Sequence, residues 1–396
     1  MIISKKPVRS LTAILIGLIS SVAMANPVED TTHVKTETAS HTEQVAHETA
    51  NHETEAHTEK HEALSPKEKI NEHIQHHLAD SYDFTLYSDE EAGTHVGFPL
   101  PVILIDDGLK VFSASAFHHG ETVANVDGAY YKLVHNKIYK TDAEGTLELD
   151  HHGHPTNEMP LNFSITKNVF SLLITSLLLF LMFTALARTY KKGPNNLPTG
   201  FSRVLEPLVL FVRDEIARPN IGEKKYKKFM PFLLTVFFLI WLLNLIGLTP
   251  LGINVTGNIA VTFCLAFVTL IITNFSANKD YWGHIFWMPG VPAPMKIILA
   301  PIEVLGIFTK PFSLMIRLFA NITAGHAVMM GLLAIIFLFK NLLGTGGSIG
   351  VSLALTTFIS LIELLVAFLQ AFIFTMMSSL FIGMAVQEHD HHDDHH

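Results

Sequence analysis

The second half of the chain alternates long apolar runs with short polar joints, and this pattern sets the expected architecture. Residues 165–187, 229–248 and 259–275 are apolar over lengths that match a bilayer crossing of roughly 17 to 25 residues. Between the first two, residues 201–216 carry Val204, Leu205, Leu208, Phe211, Val212 and Ile216 against Arg203, Glu206, Arg213 and Asp214. That period predicts an amphipathic helix lying in the membrane interface. Residues 282–294, with Trp282 and Trp287, read as a loop at headgroup level.

Two further apolar segments, 296–340 and 349–386, flank residues 341–348, which hold three glycines. As continuous helices they span on the order of 65 and 57 Å at about 1.5 Å per residue, roughly twice a hydrocarbon core of about 30 Å. Either each breaks into two crossings, or both lie steeply inclined. A break in the first would have to fall at its polar motif around Arg317, so a strongly tilted hairpin is the expectation. The fold class is thus an all-α polytopic membrane protein. It has about five membrane-embedded helices plus the interfacial one, and the last two are long, tilted and packed together.

The first half differs in composition. Lys5, Lys6 and Arg9 precede an apolar run at 11–23 and Ala23-Met24-Ala25, the pattern of a signal peptide over residues 1–25, with an uncleaved anchor as the alternative. Either version carries the next segment across the membrane. Residues 26–80 form a His- and Glu-rich tract expected to be disordered and closed by a short helix over 66–78, where His73, His76 and His77 have metal-site spacing but equally suit a solvated tail. A small periplasmic extension at 81–158 comes next, with β-type runs at 102–105, 110–112 and 130–134 between glycine-containing turns. His151, His152 and His154 read as a polar linker. Domain boundaries are then 159–388 for the membrane domain and 389–396 for a His/Asp-rich tail.

Charge orients the membrane half. Arg188, Lys191 and Lys192 follow the first crossing and Lys224, Lys225, Lys227 and Lys228 precede the second, which places both in the cytoplasm and the amino terminus in the periplasm. The carboxyl terminus is expected in the cytoplasm. A 49% hydrophobic composition with a net charge of -9 excludes nucleic acid as a partner. One cysteine, Cys264, rules out an intrachain disulfide. No cofactor or metal site is expected.

Chemistry concentrates on one stripe. Glu303, Lys310 and Arg317 recur every seven residues, and Ser313, Arg317 and Asn321 every four, so they share one side of a helix. Pro301 and Pro311 are candidate bend points. On the second long helix Glu363 and Gln370 are seven apart. A charge at the bilayer centre costs roughly 2.5 to 3.5 kcal/mol even on the lenient insertion scale, so Arg317 marks a functional position. A guanidinium cannot release its proton in a protein, so it cannot relay protons but can force a passing carboxylic acid to ionise. At about 4 Å and an effective dielectric of about 20 that attraction is around 4 kcal/mol. His326, Glu363, Asn321 and Gln370 supply groups that conduct or hydrogen-bond. A structural ion pair of Glu363 with Arg317 is the alternative.

Arg317-Leu318-Phe319-Ala320-Asn321 with Ala324-Gly325, Lys310-Pro311-Phe312-Ser313 before it, Asn244-Leu245-Ile246-Gly247-Leu248, and Leu369-Gln370-Ala371-Phe372-Ile373-Phe374 together resemble subunit a of the F-type ATP synthase membrane sector. The likeness covers roughly residues 159–389. It implies a proton-transporting CF(0) subunit of the bacterial cell inner membrane, without catalysis of its own, that couples proton flow to ATP synthesis. Implied partners are the subunit c ring, the subunit b peripheral stalk, the remaining ATP synthase subunits, membrane lipid and protons. Position by position, Arg317 matches the essential arginine, with Asn321 and Gln370 beside it and Glu303 and Ser313 on the same helix. His326 stands where the family often has Glu and Glu363 where it often has His, a coupled exchange that suggests a pair. An ion-coupled secondary transporter or channel with an arginine site is the rival class, but no inverted repeat is visible. An ATP-hydrolysing pump would need a G-x-x-x-x-G-K-[ST] loop, and residues 344–350 lack the lysine.

Overall fold

Tight turns with positive φ build the first part of the molecule. Asp127-Gly128 (φ 52° and 83°) and His135-Asn136 (φ 47° and 60°) each close a two-residue hairpin, the conformation such loops require. The computed structural model describes residues 80–89, 94–120, 122–150, 155–191, 200–249, 253–288 and 291–387. The signal-peptide run 1–25, the His-rich tract with its helix at 66–78, the cluster His151, His152 and His154, and the tail 389–396 lie outside the described residues.

Among the described residues eight strands, β1 (Asp83–Asp89), β2 (Thr94–Pro99), β3 (Pro101–Ile105), β4 (Leu109–Ser113), β5 (Ala124–Val126), β6 (Ala129–Val134), β7 (Lys137–Thr141) and β8 (Leu161–Asn162), form three small antiparallel sheets. Their orders are β1-β2, β4-β3-β8 and β5-β6-β7. The expected runs at 102–105, 110–112 and 130–134 are β3, β4 and β6. Val102, Leu104, Phe117, Tyr131 and Ile138 are buried between the sheets. Asp106 accepts from Tyr131 Oη at 2.8 Å and from Lys140 Nζ at 3.0 Å. The Lys140 bond, then the Tyr131 bond, hold its carboxyl below the usual carboxylate range.

The β-module is clamped to the membrane part. β8 pairs with β3 and the extension continues through Phe163 N to Ile103 O (2.8 Å) and Ile165 N to Pro101 O (3.1 Å), straight into α1 (Lys167–Lys191). Asp80 Oδ1 accepts from Asn168 N at 3.1 Å, meeting one of the amide groups left unpaired at a helix start. The rings of Phe84 and Phe98 stack at 5.2 Å, and each meets Phe170 edge-on at 5.3 Å.

Among the described residues four helices are long and apolar enough to cross a membrane, five if the bent pair within residues 259–286 is counted as one span, matching the expected all-α polytopic architecture. α2 (Phe201–Phe211) runs through a π-helical turn at Val212–Ala217 into the short α3 (Arg218–Ile221). Leu205, Val209, Val212 and Ile216 form its buried stripe, whereas Val204, counted above with the apolar face, falls one position off that stripe and is 61% exposed. α4 (Tyr226–Gly247) is the central helix, buried from Phe232 to Leu243 on several sides. α5 (Ile259–Phe275) is capped by Asn258, whose side chain accepts from Ala260 N at 3.0 Å. It turns by 102° into α6 (Lys279–Phe286), a two-turn helix where the sequence suggested only a loop.

α7 (Ala293–Val386) is helical throughout except at Gly344 (φ 70°, ψ 167°), which divides it into arms 293–343 and 345–386. The expected eight-residue glycine loop is thus a single-residue elbow, because one residue free to adopt positive φ suffices to reverse the chain. Ser352 Oγ donates to Leu332 O at 2.7 Å, the Glu363 side chain packs on Gly325, and Lys310 Nζ sits 5.8 Å from the Phe381 ring centre. Moving away from Gly344 along one arm, each partner lies correspondingly farther along the other, so the arms run antiparallel. Neither arm breaks at the arginine motif.

The second arm is held by α2 and α3. Phe211 packs on Phe368 and Phe372, Ser379 Oγ donates to Ile216 O at 2.9 Å, and Lys225 Nζ donates to Val386 O at 2.7 Å. A Cβ on Gly383 would lie 2.1 Å from Asn220 O. Gly383→Ala is therefore expected to destabilise by about 1–3 kcal/mol, read as a lowered unfolding temperature in detergent. Gly306→Ala, with no atom within 4 Å, serves as the neutral control. In the module, the Asp106 contribution is complete above the unfolded carboxyl value of about 3.9 and is lost as pH falls through the lower folded value. Protease sensitivity of the module should rise below about pH 4, and Asp106→Asn should flatten that limb.

Candidate functional site

The first arm presents the part of its polar stripe around Arg317 outward. Ser313, Arg317 and Asn321 are exposed, together with Phe312, Ile316 and Ala320, while Leu314, Met315 and Leu318 on the opposite side are buried against the bundle. An apolar helix face carrying one guanidinium is therefore left uncovered. In the most apolar stretches of the two arms only 11% and 22% of residues are buried, against 61% in α4. The hairpin is thus packed on one side and open on the other. Among the described residues Arg317 forms no ion pair, so the Arg317–Glu363 salt bridge considered above is not formed.

The register of the arms places the remaining residues. Contacts 325 with 363 and 310 with 381 bracket Arg317 and set it level with residues 371–374 of the second arm, next after Gln370. Gln370 is buried, 4% exposed. Glu303 lies two turns before Lys310 and close enough to Tyr281 of α6 to act on it electrostatically. His326 follows Gly325 on the first arm, which brings its backbone next to the Glu363 carboxylate. A Cβ at Gly325 would meet Glu363 Oε1 at 2.6 Å, so the Glu363 carboxylate lies directly against this backbone.

Glu363 is half-buried and neither carboxylate oxygen has a hydrogen-bond partner among the described residues. Thr323 Oγ1 on the first arm and Thr356 Oγ1, two turns from Glu363 on the second, are likewise buried and unpartnered. Neither threonine was singled out from the sequence, although 356, 363 and 370 recur every seven residues. Such groups carry a desolvation cost that water or a partner must offset. Asn244 extends the polar belt: its Nδ2 donates to Ala367 O at 3.5 Å, and its Oδ1 accepts from Thr256 Oγ1 at 2.8 Å.

A helical bundle closed by a hairpin of two over-long apolar arms, with a guanidinium on the uncovered face, defines a multi-pass membrane protein. Residues 169–383 match the family model described as ATP synthase A chain. The chain belongs to that family. It is 42% identical over 271 residues to ATP synthase subunit a 2 of Chlorobaculum tepidum, covering 67% of this chain and 74% of the relative. It is 46% identical over 239 residues to ATP synthase subunit a of Chloroherpeton thalassium, covering 59% and 70%. With ATP synthase subunit a of Myxococcus xanthus it shares 44% over 239 residues, 59% and 77% of the two chains. Residues 73–163, which include the β-module, match a model described as a domain of unknown function.

The arm register has a direct check. Cysteines placed at 325 and 363 should form a disulfide under mild oxidation, because the 325 Cβ position lies 3.7 Å from Glu363 Cγ. Cysteines at 317 and 363 should not. Cleavage between the arms followed by reduction would read the cross-link, and equal yields from both pairs would refute the register.

Proposed function

We propose that this chain is the proton-channel stator subunit of an F-type ATP synthase. It provides two half-channels and couples transmembrane proton flow to rotation of a subunit c ring, and so to ATP synthesis elsewhere in the complex. The subunit performs no catalysis itself. The single observation that carries this reading is Arg317, a charge exposed on the uncovered face of an otherwise apolar hairpin. Lipid cannot satisfy a guanidinium, whereas a ring of carboxylic acids passing that face can. Fixed in charge, Arg317 strips the proton from each arriving acid and blocks direct leakage between the half-channels.

Asn321 and Gln370 flank the arginine in this scheme, and Glu303 and Ser313 belong to the path on the face opposite the β-module. His326 and Glu363 act as one acid–imidazole unit in the half-channel on the module side. The adjacency of Glu363 to Gly325 supports that pairing. A basic cluster beside the starts of α2 and α4 supports a cytoplasmic placement of that face, with the module in the periplasm of a bacterial inner membrane. The subunit b stalk and the other synthase subunits are the further partners.

Arg317→Ala and Arg317→Lys are expected to lower ATP-driven proton pumping in inverted vesicles by more than about tenfold with the complex still assembled. Coupled pumping by either variant would count decisively against the stator reading. His326→Ala and Glu363→Ala should each depress pumping, and the exchange of the two residues should recover part of it. Full pumping by both single variants would remove the pair.

A further inference from the structure

On the face opposite the β-module, a partly open cavity of about 20 Å³ lies between α5, α6 and both arms of α7. Thr269, Thr273, Asn274, Tyr281, Lys310 and Phe381 contribute to its lining. Measured as room for the centre of a water-sized sphere, that volume exceeds the roughly 10–15 Å³ a site needs to hold one water. Two of its lining groups lack partners. Thr273 is 6% exposed, its Oγ1 has no hydrogen bond, and Asn274 Oδ1 beside it is also buried and unpaired.

The orphan hydroxyl is unusual within its own surroundings. Thr235, Thr269, Thr375 and Ser378 on neighbouring membrane helices each donate to the carbonyl four residues earlier. The same escape is open to Thr273 through Thr269 O, yet its hydroxyl does not take it. A buried hydroxyl that forgoes its own helix beside an unpaired amide oxygen and a cavity of water size calls for a small ligand that both donates and accepts. Water fits that chemistry. Lys310 adds a third polar group: its ammonium has no ion-pair partner among the described residues and rests 5.8 Å from the Phe381 ring centre.

We propose that this cavity is a water-binding site anchored by Thr273 and Asn274, and that its water hydrates Lys310 as part of the proton path on the face opposite the β-module. The proposal rests on the stator reading given above. Lys310 stands midway between Glu303 and Arg317, two helical turns from each, so water held there joins the stripe to the polar end of the bundle. Thr273 and Asn274 act through the water and Lys310, as positioning residues.

The test uses the assembled complex in inverted vesicles. Single cysteines at 273 and 274 are treated with a charged, membrane-impermeant thiol reagent; the unaltered chain, whose Cys264 is buried on the same helix, sets the baseline. A cysteine at 271, on the exposed side of α5, is the control for reaction through lipid. Cysteines at 273 and 274 should react about tenfold faster than either control, and the dry double variant Thr273→Val with Asn274→Leu should pump about tenfold more slowly with the ring still co-purifying. Thr273→Ser alone should pump normally, separating hydration from packing. Failure of either the labelling or the pumping result, while Arg317→Ala is defective, overturns this proposal and leaves the stator reading intact. Normal pumping by Arg317→Ala overturns the stator reading itself.

Discussion

A guanidinium cannot give up its charge, and a bilayer interior cannot solvate it. Much of the membrane half can be understood as the consequence of placing Arg317 where both statements hold. The residue must be carried on a helix that is apolar enough to stay in the membrane, yet its own face must remain uncovered for a polar partner. One-sided packing of the α7 hairpin meets both demands, with Leu314 and Leu318 anchoring the first arm inward while Arg317 and Asn321 look out.

One-sided packing makes the bundle behind the hairpin responsible for its position. α4 fills the centre with Phe237, Phe238 and Trp241, and Phe368 of the second arm lies against that aromatic group at 5.8 to 5.9 Å. At the far end the contacts are to backbone rather than side chain: Gly383 on Asn220 O, Ser379 on Ile216 O, Lys225 on Val386 O. Side-chain packing tolerates small repacking, whereas backbone contact fixes both rotation and translation of the arm.

The sequence made the crossings and the charged stripe legible, since hydropathy over about 20 residues and a seven-residue recurrence are local signals. The β-module was half legible: β3, β4 and β6 are apolar runs, but β1 and β2 are mixed in polarity and paired only with each other. α6 was missed because eight residues, barely two turns, carry no clear period. Whether Thr273 satisfies itself through its own helix, and why Gly383 must lack a side chain, depends on atoms more than thirty residues away or on a rotamer. Neither leaves a mark in a single sequence.

The π-helical turn at Val212–Ala217 sets a constraint on insertions and deletions. Its wider ring is seen in the bond from Arg218 N to Arg213 O, and within it Ile216 O accepts from both Asn220 Nδ2 and Ser379 Oγ. Removing one residue from this turn would restore regular helix and rotate everything from α3 onward by about 100° relative to α2. Asn220 would then face away from Gly383, and the second arm would lose its angular reference. Length here is as restricted as residue identity is at Arg317, so a substitution could be absorbed where a frame-preserving deletion of one codon could not.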